Sequence, residues 1–152
     1  MIVFRLSKSK YAKDLTGKGA EKSGGRWNSK GVAMLYTSES RALCTTEIAV
    51  HTPLGDVPND YRIISLEIPN NSFSVLKETA LPSDWKSFPH PDSTQKLGDK
   101  FIADRKYPVL KVPSAVVQGE HNFLLNPYHK EFSKVKILSD EPFSFDERLF
   151  KK

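Results

Sequence analysis

Residues 24–51, GGRWNSKGVAMLYTSESRALCTTEIAVH, hold three kinds of pattern in succession, and their order decides how the chain is read. The opening residues, 24–31, are small or polar around a single tryptophan and show no apolar period. Residues 32–37 (VAMLYT) are a short, nearly unbroken apolar run, which at that length reads as a buried strand. Thr37 and Ser38 then supply N-cap candidates for a helix over 39–51, stopped by Pro53 and Gly55. The sequence here is loop, strand, helix.

Upstream, residues 1–6 are a short apolar strand candidate, and 7–31 form a polar, glycine-rich stretch that reads as one long loop. Loops of that length within a compact domain are uncommon and more often functional than idle. Downstream, residues 61–69 (YRIISLEIP) alternate, with Ile64, Leu66 and Ile68 on one side, which is the period of a half-buried strand. A further strand over 72–76 follows a turn at Asn70-Asn71. Residues 79–92, punctuated by Pro82, Pro89 and Pro91, read as surface loop. From 93 to 105 Leu97, Phe101 and Ile102 share a helical face, with Asp92 and Gln95 as its cap. Strands are expected near 107–117 and 134–138, before a tail carrying Phe143, Phe145, Leu149 and Phe150. The expected class is α+β, richer in strand than in helix, with no βαβ alternation.

Composition narrows the function. A chain of 152 residues, 38% hydrophobic and 27% charged, buries roughly 68–70% of its unfolded surface, so a single domain over 1–152 needs no metal or disulfide to fold. No run approaches the ~18 apolar residues of a membrane span, and the N-terminal apolar run precedes its lysines, the reverse of a secretory signal. A cytoplasmic location is expected. The single Cys44 excludes an internal disulfide and a cysteine-based zinc site, and the four histidines lack metal-ligand spacing, so no metal is expected. The net charge of +5 suits a polyanionic partner. Because the basic residues are scattered among acidic ones, a phosphate-bearing small molecule or an acidic protein explains the excess as well as a nucleic acid does.

Three features carry chemistry. On a helical wheel Ala42, Leu43, Cys44, Ile48, Ala49 and Val50 cover most of the circumference, so the helix reads as buried nearly all round with Glu47 between Leu43 and Cys44. Burying a carboxylate is costly unless it is bonded or paired, and such a placement marks either a site or a structural bond to a neighbouring loop. Gly24-Gly25-Arg26-Trp27-Asn28 sets a five-donor guanidinium beside two glycines that let a ligand approach closely. Taken alone, such residues are more often a turn, a core tryptophan and a solvated arginine, and the pattern is neither GxGxxG nor a P-loop. Ser114 lies in an apolar segment where its hydroxyl needs a partner, and Asn126 before Pro127 favours a fixed turn. Ser-His-Asp hydrolysis is a poor reading without a nucleophile elbow.

In order along nearly the whole chain, Phe4-Arg5, Gly25-Arg26-Trp27-Asn28 with Gly31, Leu35-Tyr36-Thr37-Ser38, Glu47, Val112-Pro113-Ser114, residues 122–127 with His129, and residues 145–149 resemble the RES-domain toxins of bacterial toxin–antitoxin modules. The resemblance implies a fold like that of the ADP-ribosyltransferases, mainly antiparallel sheet with a few helices. It implies consumption of NAD, by degradation or by transfer of ADP-ribose, and restraint by an antitoxin with a helix-turn-helix DNA-binding part. The family's Arg, Glu and Ser map to Arg26, Glu47 and Ser114, and its active-site Tyr to Tyr36. These are the expected catalytic residues, with Arg26, Tyr36, Arg5, Trp27, Asn28 and Asn126 expected to bind substrate. Cys44-Thr45-Thr46 stands where the family often has Ala and aliphatic residues, and Arg5 matches a recurrent arginine that could share the phosphate with Arg26.

NAD would offer its pyrophosphate to Arg26, its nicotinamide to the Tyr36 ring and ribose hydroxyls to Glu47, while Ser114 orients Glu47. Cleavage of the nicotinamide–ribose bond passes through an oxocarbenium-like ribose, which a fixed anion stabilises. Water, phosphate or a protein side chain are all open as acceptor. An antitoxin would occlude the pocket and grip apolar surface around Trp27. The rival readings are a basic nucleic-acid-binding domain, which the scattered charge disfavours, and a scaffold without activity.

Overall fold

The computed structural model describes residues 1–152. Seven strands build one sheet: β1 (Ile2–Lys8), β2 (Leu35–Ser38), β3 (Tyr61–Glu67), β4 (Phe73–Val75), β5 (Val109–Pro113), β6 (His121–Leu125) and β7 (Lys136–Phe143). Their order across the sheet is β4-β5-β6-β2-β1-β3-β7, and every pairing is antiparallel except that of β4 with β5. Three α-helices accompany them: α1 (Lys18–Ser23), α2 (Arg41–Val50) and α3 (Asp92–Asp104). The α+β class and the antiparallel emphasis hold.

Strand alternation puts successive side chains on opposite faces, so the sheet separates two cores. On one face Val3, Leu35, Ile64, Leu66, Val109, Phe123 and Leu125 pack together. On the other, Leu110, Val112 and Leu124 pack with Trp27, Met34, Trp85, Phe101 and Ile102, so that α3 and the segment around Trp85 cover this side. The register Tyr36↔Leu124 and Ser38↔Asn122 places Tyr36, Ser38 and Asn122 on this second face as well.

Several expectations are corrected, each for a local reason. The stretch 7–31 is not wholly loop, because it folds a 3₁₀ turn at Ser9–Tyr11 and the short helix α1. α2 starts at Arg41, capped by Ser40, whose hydroxyl accepts from the Leu43 N–H at 3.0 Å. Thr37 and Ser38 are strand residues instead; their hydroxyls donate across the sheet to the Phe123 carbonyl and the Asn122 side chain, both at 2.7 Å. Nor is α2 buried all round: only Leu43 and Cys44 are buried, and Val50 is 57% exposed. The expected strand over 107–117 ends at Pro113, because the Ser114 hydroxyl accepts from the Val116 and Val117 N–H groups, both at 3.0 Å, and folds the chain into a turn. The chain returns as β6, which the sequence reading missed, and the last strand runs on to Phe143. α3 has no side-chain N-cap, since Gln95 reaches away to the Gly25 carbonyl at 3.0 Å.

That bond belongs to a larger clamp. Thr94 donates to the Arg26 carbonyl at 2.6 Å, and the Asp99 carboxylate accepts from the Ser29 N–H at 2.9 Å and hydroxyl at 2.6 Å. Gly98 completes it, since a Cβ built there would stand 1.6 Å from the Trp27 carbonyl oxygen. One face of α3 therefore fixes the backbone of residues 25–29, and with it the direction in which Arg26 leaves the chain.

Candidate active site

Glu47 is brought to the sheet by α2, which packs on β1 and β2. Its Oε1 accepts from the Ser114 hydroxyl at 3.1 Å and from Asn122 Nδ2 at 2.9 Å. The Ser114 oxygen is itself fixed by the two N–H groups of its turn, and Asn122 Oδ1 accepts from Ser38. Two donors, one from the turn after β5 and one from β6, thus converge on one carboxylate oxygen of α2. Oε2 has no hydrogen bond within the protein and remains the oxygen with which Glu47 can act. The reading of Ser114 as the group that orients Glu47 matches this geometry. Asn122 and Ser38 were absent from the expected site; a cross-strand pair becomes visible only once the β2–β6 register is known.

Arg26 lies within the electrostatic reach of Glu47, which favours its charged form and partly offsets the effect of burial. Its Nη1 donates to the Trp85 carbonyl at 2.7 Å and to the Ser87 carbonyl at 2.9 Å. A guanidinium has five N–H donors, so the Nε and Nη2 protons, which bond nothing in the protein, remain for an anion. The glycines beside it serve the protein as much as any ligand: a Cβ at Gly25 would lie 2.7 Å from the Tyr36 hydroxyl oxygen, so what approaches closely there is Tyr36.

Tyr36 has its hydroxyl committed within the protein. Its hydroxyl donates to Asn28 Oδ1 at 2.6 Å and accepts from the Trp27 N–H at 3.0 Å, and burial raises the affinity of the phenol for its proton. The ring packs against the second core, so the side chain pins the 25–28 loop. Asn28 is completely buried, with Nδ2 donating to the Ala20, Ser29 and Val32 carbonyls. Asn126 is also completely buried, with its amide between the Ile102 carbonyl and the Tyr128 N–H. Trp27 is 3% exposed. Both asparagine side chains are shut away from solvent, and Trp27 presents almost no surface that a partner protein could grip.

Arg5 lies on the other side of the sheet. It pairs with Ile64, whose side chain is in the first core, whereas its neighbour Phe4 pairs with Ser38. Its Nη1 donates to the Tyr11 and Ala12 carbonyls, both at 3.2 Å, and burial lowers its pKa. It is not placed to share an anion with Arg26. Cys44 is a packing residue: burial pushes its thiol up to about 11, and the sulfur sits 3.3 Å from the Phe4 carbonyl oxygen. No group of three or more His, Cys, Asp and Glu residues is gathered as a metal site would require. No helix is long and apolar enough to cross a membrane.

Beside Ser114 opens a cleft of about 230 Å³ lined by Lys77, Lys86 and Lys111 with Glu78 and Glu120. On the Arg26 side, His51, which caps the C-terminus of α2 four residues after Glu47, meets the rings of Phe88 and His90.

The family model described as the RES domain matches residues 2–146. The chain is 36% identical over 154 residues to a protein of Yersinia enterocolitica named "Toxin Res", covering 98% of this chain and 99% of that one. It is 33% identical over 144 residues to the "Prs ADP-ribosylating toxin" of a Sphingobium species, covering 93% and 89%. Among solved structures, the Mycobacterium tuberculosis MbcT–MbcA toxin–antitoxin complex contains a chain with the same fold, at a TM-score of 0.75 and 18% identity, covering 98% of this chain and 86% of that one.

Proposed function

We propose that this chain, which belongs to the RES-domain family, is the toxin of a toxin–antitoxin pair and acts by cleaving the nicotinamide–ribose bond of NAD in the cytoplasm. The observation that carries the reading is the Glu47 carboxylate, with one oxygen held by Ser114 and Asn122 and the other unbonded, within electrostatic reach of the Arg26 guanidinium.

Nicotinamide leaves NAD as a neutral molecule from a cationic ring, so departure needs no general acid. What the reaction needs is a fixed negative charge near the ribose as positive charge develops there. A carboxylate already oriented by two donors supplies that charge without reorganisation. Glu47 Oε2 also accepts a ribose hydroxyl, and the unbonded N–H groups of Arg26 bind the pyrophosphate. Tyr36 acts through the loop it pins, by fixing the backbone from which Arg26 projects.

Water as acceptor gives a glycohydrolase, phosphate a phosphorylase, and a protein side chain an ADP-ribosyltransferase. The last is the second reading, favoured by the relative named for ADP-ribosylating Prs. The restraining partner is an antitoxin that occludes the pocket and carries a helix-turn-helix DNA-binding part; the toxin–antitoxin structure that shares this fold supports the pairing. The test is to incubate the purified protein with NAD, with and without inorganic phosphate, and to identify the products. Free nicotinamide is expected in both. NAD left intact, with no ADP-ribose on any added protein, overturns the reading.

A further inference from the structure

The segment from Trp85 to His90 has no part in the chemistry described so far, yet it is built against the site from two directions. At its start Trp85 is buried in the second core, 7% exposed. Two bonds within the loop brace it, from Trp85 N–H to the Pro82 carbonyl at 3.1 Å and from Ser87 N–H to the Asp84 carbonyl at 2.9 Å. Arg26 Nη1 then binds the Trp85 and Ser87 carbonyls. At its far end the rings of Phe88 and His90 stand 5.3 Å apart at 87°, and His51 lies 5.7 Å from Phe88 and 6.2 Å from His90. Phe88 follows Ser87, whose carbonyl Arg26 holds, and its ring meets His51, four residues past Glu47.

Despite this bracing, the Phe88 ring is 69% exposed. A phenyl ring held against two imidazoles yet left open to solvent has lost freedom without gaining burial, which is unfavourable for an isolated surface residue and suits a surface that meets a ligand. The Tyr36 ring is half-buried against the second core, and its hydroxyl is committed to the 25–28 loop.

We infer that Phe88 is the aromatic platform on which a heteroaromatic base of the substrate stacks, and that Arg26 is the positioning residue that holds it through the Trp85 and Ser87 carbonyls. The inference rests on the NAD-cleaving reading above and extends it from the reacting carboxylate to base recognition. It also gives Arg26 two simultaneous duties: Nη1 fixes the platform, and the remaining N–H groups face the anion. A dinucleotide bridging the two would have its pyrophosphate and one base fixed by a single side chain and the strap that side chain holds.

The test is steady-state kinetics of nicotinamide release from NAD by the wild type and by Phe88→Ala, Phe88→Leu and Phe88→Trp; an exposed position lets all of them fold. Stacking on a protein ring is worth about 1–3 kcal/mol per base, so Phe88→Ala should raise KM roughly tenfold or more with kcat little changed, the pattern of lost uniform binding. Phe88→Trp should restore KM, and Phe88→Leu, apolar but without a π-face, should not. In an Arg26→Ala background the same Phe88→Ala change should raise KM much less, because the platform is already released. A wild-type KM in Phe88→Ala overturns the platform while leaving NAD cleavage standing. Equal KM in Phe88→Leu and Phe88→Trp overturns the stacking role, and full additivity with Arg26→Ala overturns the positioning role. Failure of the wild type to release nicotinamide removes both this inference and the functional reading beneath it.

Discussion

Tyr36 gives the sharpest case at the scale of single residues, because its two hydrogen bonds close the loop that carries Arg26. Phenylalanine fits the same space but leaves Asn28 Oδ1 and the Trp27 N–H without their partner. An unsatisfied buried polar group costs ~1–3 kcal/mol, so Tyr36→Phe should lower the melting temperature measurably, and activity should fall with the ordering of the loop. An unchanged melting temperature would show that the hydroxyl is not structural. The polar residues that the sequence pointed to divide along this line. Glu47 and Ser114 were legible because each places a polar group in apolar surroundings that demand a partner, and they turn out to be partners of each other. Asn28 and Asn126 entered the expected site through the family resemblance, and their side-chain amides bond backbone groups that include the Ala20 carbonyl of α1 and the Ile102 carbonyl of α3. Sequence alone does not separate a buried amide that ties a turn from one that meets a substrate.

Among the elements, α3 does the most to set the site, and its glycine is the point where that can be tested. A Cβ at Gly98 would fall 1.6 Å from the Trp27 carbonyl oxygen, backbone that is already fixed by the Thr94, Gln95 and Asp99 bonds on either side. Gly98→Ala should destabilise by ~3 kcal/mol or more, at the upper end for overpacking. At Gly19, in α1, an added Cβ would meet nothing within 4 Å, and Gly19→Ala should be neutral or stabilising by up to ~1 kcal/mol. Denaturant unfolding of the two variants measures the contrast, and equal stability would mean that α3 does not press on the loop. The apolar face of α3 was visible in Leu97, Phe101 and Ile102. Its polar contacts were not, because Gln95 reads as a capping residue until the 25–29 loop is seen beside it. β6 was missed for a related reason: only Phe123, Leu124 and Leu125 in it are buried, while His121 and Asn122 belong to the site end and break the strand pattern.

Across the whole molecule, the charges around the strap make it sensitive to acid. Burial first, then the nearby Arg26 and His51, holds the His90 imidazole below its ordinary value of 6.5, and its buried Nδ1 has no hydrogen-bond partner. A group whose pKa is depressed by folding stabilises the fold above its unfolded value, and that stabilisation is lost as the pH falls through the folded value. Protonation of His90 therefore opposes the strap beside a guanidinium and a second histidine. Amide exchange in residues 85–90, corrected for intrinsic rates, should accelerate on acidification below about pH 6 before the sheet is affected. A His90→Gln variant should lose that response, and strap and sheet loosening together would contradict it. The central claim concerns a single charge. Glu47→Gln keeps the size of the side chain and a carbonyl oxygen to accept from Ser114 and Asn122, but removes the anion that we propose stabilises the ribose cation. The decisive measurement is the rate of nicotinamide release from NAD by wild type and by Glu47→Gln, each shown to be folded by its melting curve. A fall on the order of 10²–10³ in turnover is expected, as for loss of one preorganised electrostatic group; undiminished cleavage by the folded Glu47→Gln protein would contradict the assignment.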